Sequence, residues 1–207
     1  EFIKRHQIRV NGGYHITNPN VTIAEIKRQF RFYKPGQIHW AAVSSLEFIS
    51  MEAVVSNLDL PWDWSCVCMK PNFDVSYVLK FPEIPWDIET LSSNSNCVDL
   101  YVLEVQFPQI PWNNTQLSKN GNITIQYILK HPIDSQGRPY DYKELSKNTN
   151  LNIDFIKENL DKDWDWIELT CNKCITIQNI LDNPHLPWDY QGVSYNENSV
   201  EYYNTLT

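Results

Sequence analysis

Apolar and polar positions follow one pattern that returns about every 24 residues along most of the chain. The segments LSKNGNITIQYILKHP, residues 117–132, and LTCNKCITIQNILDNP, residues 169–184, show it most clearly. When the copies are aligned, one column contains Thr22, Ser50, Asp74, Val98, Thr124, Asn152, Thr176 and Val200. Six of these eight residues are Thr, Ser, Asp or Asn, whose side chains accept hydrogen bonds from the free N–H groups at a helix start. The column therefore predicts the cap of a helix, helix A, in each repeat.

Apolar residues lie on both sides of seven of the eight predicted caps. Around Thr124, for example, Ile123 comes directly before the cap and Ile128 follows four residues after it. Such a pair packs together at a helix start as a hydrophobic staple. A proline, which cannot continue a helix, is expected to end several of these helices, and the prolines concerned are Pro82, Pro108, Pro132 and Pro184.

A Trp-centred phrase follows most of the predicted A helices, in variants such as LPWDW at 60–64 and IPWDI at 84–88. Its proline suits a first helical turn, and an apolar residue lies five positions after the tryptophan, so a short helix B is predicted. One such unit is too small to bury its apolar face, whereas stacked units share one. The pattern predicts an all-α fold, an α-solenoid of about seven helix–turn–helix units of roughly 24 residues. A β-propeller is excluded, because its blades consist of strands and repeat about every 40 to 45 residues.

The tryptophans of the phrase are expected to form the core between successive repeats. A tryptophan offers a large apolar area, and its indole N–H can reach a neighbouring carbonyl. The expected core residues are Trp62, Trp86, Trp112, Trp164 and Trp188. The alternative is that these rings stack on a bound ligand.

A second aromatic column lies three residues after the predicted caps. Its members are Tyr77, Tyr101, Tyr127, Phe155 and Tyr203. In a solenoid, one residue per repeat in one column forms a ladder along one face. The column is a candidate protein-binding strip, because tyrosine is enriched in the residues that dominate binding energy at interfaces. Packing between repeats is the alternative interpretation.

Residues 15–207 are predicted to form a single α-helical repeat domain, and residues 1–14 lie outside the repeat. The segment QIRVNGGYHI, residues 7–16, favours a β-hairpin around Asn11-Gly12-Gly13. A degraded capping repeat is the alternative for this segment.

The Pro-Trp-Asp-Trp and Leu-Ser-x-Asn-x-Asn-Ile-Thr phrases resemble the short Trp-Asp-Trp repeats of proteins from giant DNA viruses of the mimivirus-like group. The resemblance covers roughly residues 15–207. Some copies depart from it: Ile38 and His39 replace the first Trp-Asp, and RPYDY, residues 138–142, replaces PWDW. The resemblance implies a viral repeat protein but no particular activity.

Composition narrows the expected partners. The chain has 17 basic and 25 acidic residues and a net charge of −8, whereas a nucleic-acid binder needs basic residues to neutralise phosphates. We therefore expect other proteins, in particular viral structural proteins, as partners, and nucleic acid is an unlikely one. The alternative is a repeat-type binder of single-stranded nucleic acid that reads one base per repeat. No apolar run approaches the roughly 20 residues of a membrane-spanning helix, so no membrane insertion is expected.

No pattern of catalytic or metal-binding residues is evident. Cys171 and Cys174 form a CxxC pair, and Cys66 and Cys68 form a CxC pair. These cysteines replace other residue types in separate columns of the repeat, which favours scattered substitutions over a zinc site or a redox pair. The sequence predicts no enzyme activity, no cofactor and no metal. Free thiols suit an intracellular, reducing location, in the virion or the host cytoplasm, and the hypothesis is a non-enzymatic scaffold for protein–protein contacts.

Overall fold

Short helices form nearly all of the regular structure. The computed structural model describes residues 7–10, 13–16, 22–30 and 40–198. In chain order the helices are α1 (Ile23–Phe30), α2 (Trp40–Ser44), α3 (Met51–Val55), α4 (Trp64–Cys68), α5 (Ser76–Lys80), α6 (Ile88–Ser93), α7 (Val102–Gln106), α8 (Asn114–Leu117), α9 (Ile125–Lys130), α10 (Tyr142–Leu145), α11 (Ile153–Glu158), α12 (Trp166–Cys171), α13 (Ile177–Asp182) and α14 (Gly192–Tyr195). Helix α7 is a π-helical turn and α14 a 3-10 turn. A helical fold is confirmed, and the solenoid of seven units stays a prediction.

Two antiparallel strands precede the helices. They are β1 (Gln7–Val10) and β2 (Gly13–Ile16), and Arg9 lies opposite Tyr14. The two strands are separated by two residues in the sequence, as expected for a tight hairpin. The predicted hairpin is therefore present, whereas a helical capping repeat is not formed by these residues.

The predicted caps hold the starts of α3, α9, α11 and α13. In each of these helices, a side-chain oxygen of the cap accepts a hydrogen bond from the backbone N–H three residues later, at 2.8 to 3.3 Å. The four caps are Ser50, Thr124, Asn152 and Thr176. The hydrogen bonds that mark these helix starts are thus made between residues close in the sequence.

The predicted cap of α7 is wrong by one residue. The helical residues that lead into α7 begin at Leu100. Asp99 rather than Val98 is their cap, because the loop before it is one residue longer than in most other repeats. The Asp99 carboxylate accepts a hydrogen bond from the Val102 N–H at 2.9 Å. Val98 is fully buried in the apolar position before the cap. As a result, Tyr101 lies one position out of the column that contains Tyr127.

The chain divides into two compact units, residues 1–97 and 98–207. Two apolar columns form the core within each unit. The residue five positions after the tryptophan is completely buried at Val67, Leu91, Leu117, Leu145 and Leu169. The residue four positions after the cap is at most 3 % exposed at Ile26, Val54, Ile128, Ile156 and Ile180. None of the helices in the described ranges is both long and apolar enough to cross a membrane.

Candidate functional site

The Trp-centred phrase joins helix A to helix B in each repeat. The residue directly after the first tryptophan caps helix B. In the phrase LPWDW this residue is Asp63, whose carboxylate accepts a hydrogen bond from the Cys66 N–H at 3.0 Å. The same contact occurs at Asp87, Asn113, Asp141 and Asp165. The first tryptophan therefore precedes helix B. Pro61 lies three residues before the start of α4, so the expectation that it occupies the first helical turn is wrong.

The first tryptophan of each phrase binds the end of its own helix A. Each indole N–H donates to the backbone carbonyl five residues earlier, at 2.8 to 3.1 Å, in Trp62, Trp86, Trp112, Trp164 and Trp188. Trp86 is half-buried, and the other four are 5 to 6 % exposed. These side chains therefore satisfy a carbonyl that the end of helix A leaves free.

The second aromatic residue of the phrase packs against the first tryptophan of the next repeat. Trp64 meets Trp86 edge to face with ring centroids 5.3 Å apart, and Trp166 meets Trp188 at 5.2 Å. Tyr142 makes the same contact with Trp164 at 4.9 Å. Edge-to-face pairs at such distances are favourable beyond the apolar area they bury. The phrase therefore links one repeat to the next.

A row of buried asparagines makes a second link between repeats. We call Asn120, Asn148, Asn172 and Asn196, all in residues 98–207, the asparagine ladder. Each is at most 7 % exposed, and each donates from Nδ2 to a backbone carbonyl of the preceding repeat at 2.7 to 3.2 Å. Each Oδ1 accepts the backbone N–H two residues later. Asn94 makes the same contacts within residues 1–97.

A hydroxyl column runs two residues before the asparagines. Ser118 Oγ accepts the backbone N–H of Asp141 at 2.7 Å, and Thr170 Oγ1 accepts that of Asp189 at 3.0 Å. These hydroxyls also donate to the carbonyl four residues earlier in their own helix. The structural roles of these hydroxyls and asparagines were not predicted from the sequence. The serine and asparagine of the recurring Leu-Ser-x-Asn phrase are the sequence signal for both columns.

In one repeat of residues 1–97, Lys70 occupies the position that asparagine holds in the ladder. The residue is 2 % exposed, and its ammonium group donates to the backbone carbonyl of Leu46 in the preceding repeat. Burial lowers the pKa of Lys70, although the nearby Glu47 carboxylate partly opposes this shift. One long cationic side chain thus replaces the hydrogen bonds of an asparagine amide.

The candidate aromatic strip is not continuously exposed. Tyr127 and Phe155 are 7 % and 4 % exposed, whereas Tyr101 is 58 % exposed. Tyr77 is half-buried and stacks on Phe81 within its own repeat, with ring centroids 5.5 Å apart. The final member of the column, Tyr203, lies outside the described residues. Phe155, at the third position after its cap, packs on Trp164 of its own repeat, with ring centroids 6.2 Å apart.

A cleft opens between α7 and α9 where the phrase departs from its pattern. Asn114 stands in the position of the second tryptophan, and Tyr140 replaces the first tryptophan of the next repeat. Instead of an aromatic pair, Asn114 Nδ2 donates to the His131 carbonyl at 2.9 Å. The cleft has a volume of about 210 Å³. Its apolar wall includes Leu103, Ile110 and Trp112.

A loop organised by hydrogen bonds forms one side of the cleft. It contains the extra residues of the repeat between Thr124 and Asn152, one of the two longest along the chain. The loop is organised by Asp134, whose side chain is 3 % exposed. This carboxylate accepts hydrogen bonds from Asn114 N, Gln136 N, Arg138 N and Arg138 Nε at 2.6 to 3.1 Å. Burial raises the pKa of Asp134, but these hydrogen bonds outweigh it and hold the pKa below its usual range. Gly137, with φ +76°, permits the turn.

Charged groups lie at the mouth of the cleft. Glu104 Oε1 accepts a hydrogen bond from Lys130 Nζ at 2.9 Å and lies 3.6 Å from His131 Nε2. The hydrogen bond from Lys130 lowers the pKa of Glu104. The neighbouring residues in the sequence are apolar and exposed, with Val105 61 % and Leu129 65 % exposed. Ile133 lines the cleft itself and is 59 % exposed, so the cleft combines an ion pair with an apolar side chain that faces solvent.

The cysteines are free thiols at positions 66, 68, 97, 171 and 174. Cys171 Sγ donates to the Gly192 carbonyl at 3.6 Å. Burial raises the pKa of Cys171, and it raises that of Cys174 to about 11. Both therefore stay protonated near neutral pH and are poor nucleophiles. In the part of the chain that the structure describes, no three His, Cys, Asp or Glu side chains are placed to hold a metal ion.

Comparison of the chain with protein-family models, curated proteins and solved structures gives no match.

Proposed function

We propose that the chain is a non-enzymatic repeat scaffold of a large DNA virus, which holds other viral proteins in the virion or in the host cytoplasm. The viral origin rests on the resemblance of the Pro-Trp-Asp-Trp and Leu-Ser-x-Asn-x-Asn-Ile-Thr phrases. The protein-binding role rests on one observation, the cleft between α7 and α9 with its exposed apolar mouth.

Three exposed apolar side chains at or beside the cleft support this role. Ile133 lines the cleft and is 59 % exposed. Val105 and Leu129, which are 61 % and 65 % exposed, adjoin the lining residues Glu104 and Lys130 in the sequence. Exposed apolar groups that cluster on a folded chain mark contact sites. In repeat proteins, insertions into single repeats form loops on one face, which is often the binding face. The loop organised by Asp134 is such an insertion, and it borders the cleft.

The properties of residues 98–207 favour a protein partner over single-stranded nucleic acid. A binder of single strands needs a positively charged groove and aromatic rings open for base stacking. Residues 98–207 contain 15 acidic and eight basic residues, and Tyr127 and Phe155 of the aromatic column are buried. No observation on this unit favours the nucleic-acid alternative.

The proposal is tested by isolating the tagged chain from virus particles or infected cells. We expect a viral protein to co-purify in a fixed ratio, and the purified partner to bind the purified chain. The double variant Val105→Lys with Leu129→Lys should weaken this binding at least about 100-fold, because burying an apolar side chain contributes about 1.5 to 3 kcal/mol. Both positions are solvent-exposed, so the fold should tolerate the lysines.

The matched control is Leu79→Lys with Leu181→Lys. Both leucines are exposed and lie on other A helices, and neither lines the cleft, so the control adds the same charge at positions outside the cleft lining. It should bind like the unchanged chain. Equal loss of binding in both double variants would show that added charge, not the cleft, determines the effect. If no protein co-purifies in a fixed ratio, the scaffold role is wrong.

A further inference from the structure

Asn120 differs from the other ladder asparagines in the residue that follows it. Asn120 precedes Gly121, whereas Asn148, Asn172 and Asn196 precede residues with side chains. Glycine leaves its own amide nitrogen unhindered and the backbone free to turn. We infer that Asn120 is a deamidation site, which the folded ladder protects and whose conversion disables the ladder. The inference rests on the ladder alone and is independent of the proposed function.

The reaction needs only water and a base. The amide nitrogen of Gly121 loses its proton and attacks the side-chain carbon Cγ of Asn120. The bond from Cγ to Nδ2 breaks, and Nδ2 leaves as ammonia with a proton from the solvent. The product is a five-membered succinimide. Water then opens this ring at either carbonyl, which gives aspartate or isoaspartate at position 120.

The folded ladder opposes the first step. Asn120 is fully buried, and its Nδ2 donates to the Val98 carbonyl at 2.9 Å. Its Oδ1 accepts the Asn122 N–H at 3.0 Å. Ring closure requires the side chain to leave both contacts and turn towards the Gly121 nitrogen. The reaction therefore proceeds through local opening of the ladder, and its rate follows how often that opening occurs.

The products cannot replace asparagine in the ladder. An aspartate carboxylate has no donor, so it would set two acceptors against each other at the Val98 carbonyl. Isoaspartate adds a carbon to the main chain within the turn in which the Ile123 N–H donates to the Asn120 carbonyl at 3.1 Å. Helix α9 begins two residues after that turn and provides one wall of the cleft. Conversion should therefore disturb the cleft as well as the ladder.

The test follows deamidation of the full chain in mildly alkaline buffer, folded and in urea, by mass spectrometry of its peptides. In urea we expect Asn120 to convert faster than Asn148 and Asn172. In the folded chain its conversion should be about tenfold slower or more, and should follow hydrogen exchange of the Asn122 amide. Equal rates at Asn120 in both conditions, or equal rates at all three asparagines in urea, would overturn the inference.

Two variants separate the chemistry from the fold. A Cβ at Gly121 would have no atom within 4 Å, so Gly121→Ala should keep the unfolding midpoint while it slows conversion of Asn120 in urea. Asn120→Asp reproduces one product and should lower the midpoint. If Gly121→Ala converts at the original rate, or if Asn120→Asp unfolds at the original midpoint, the inference is wrong.

Discussion

Replacing Asn172 with alanine removes three hydrogen bonds from a buried position. Nδ2 donates to the carbonyls of Ser146 and Asn148 at 2.8 and 3.1 Å, and Oδ1 accepts the Cys174 N–H at 3.0 Å. The residue is only 7 % exposed, so water does not readily take over these contacts. All three partners are backbone groups, which the smaller alanine leaves in place.

The expected loss of stability follows from these three bonds. A buried hydrogen bond contributes about 1 kcal/mol net, and a partner left without one costs about 1 to 3 kcal/mol. Asn172→Ala should therefore destabilise the chain by about 3 kcal/mol, within the limit of about 5 kcal/mol that single substitutions rarely exceed. Against a total stability of about 5 to 15 kcal/mol for a typical domain, this loss is a large fraction.

Urea unfolding followed by tryptophan fluorescence measures the effect as a change in midpoint at constant slope. Asn150→Ala is the matched control, because Asn150 also donates to two carbonyls of the preceding repeat, Gly121 and Ile123, but is exposed. Gly121 is exposed, so water can satisfy its carbonyl, and the Ile123 carbonyl keeps its hydrogen bond from Asn148 Nδ2. The control should therefore lose less than about 1 kcal/mol. Asn172→Asp keeps the acceptor for Cys174 and loses both donors, and its loss should be at least as large as that of alanine.

A small effect at Asn172 would refute the reasoning. If Asn172→Ala costs under about 1 kcal/mol, or no more than Asn150→Ala, the buried asparagines do not hold successive repeats together. The stability of the unit would then rest on the apolar columns and the tryptophans.

Two further predictions concern other columns. Trp164→Ala should cost about 3 to 5 kcal/mol in urea unfolding, because it removes the packing on Tyr142 and the hydrogen bond to Asn159; a loss below about 1 kcal/mol would contradict a core role. Lys70→Asn should raise the unfolding midpoint near neutral pH, because an amide suits the buried position better than an ammonium group. In the folded chain the pKa of Lys70 is lowered from 10.5, whereas in the unfolded chain the lysine keeps its ordinary pKa. Above the folded pKa the buried ammonium group is neutral, so the gain from asparagine should shrink as the pH rises towards 10.5. A gain independent of pH would contradict the lowered pKa.

The helix caps and the apolar columns could be predicted because they depend on residues close in the sequence. Thr124 caps α9 and Ile128 lies in its first turn, so the spacing of these two residues alone predicts where the helix begins. At α7 the same reasoning chose Val98 over Asp99. A single inserted residue displaces a column without leaving a mark in the composition, and only the hydrogen bond to Val102 identifies the cap.

The ladder could not be predicted from local spacing, because its hydrogen bonds join residues more than 20 positions apart. Asn172 and Ser146, for example, are 26 positions apart. A polar residue after a short helix is typical of an exposed loop, and nothing in the local sequence shows that the next repeat covers it. The burial of Phe155 was missed for a different reason: the ring that covers it, Trp164, belongs to the Trp-centred phrase that follows the same helix A, and the cap spacing does not show this contact.

The structure of the Trp-centred phrase also indicates where function belongs. Its three residues have separate tasks: the first tryptophan binds the end of helix A, the aspartate caps helix B, and the second aromatic packs on the next repeat. At Asn114 and Tyr140 the aromatic link is absent, a hydrogen bond to the His131 carbonyl replaces it, and the cleft lies there. Because each repeat depends mainly on its neighbours, one repeat can change in this way while the others keep their packing. Departures from a consistent local pattern are expected at functional sites, so the place where the phrase fails is the place to look for a partner.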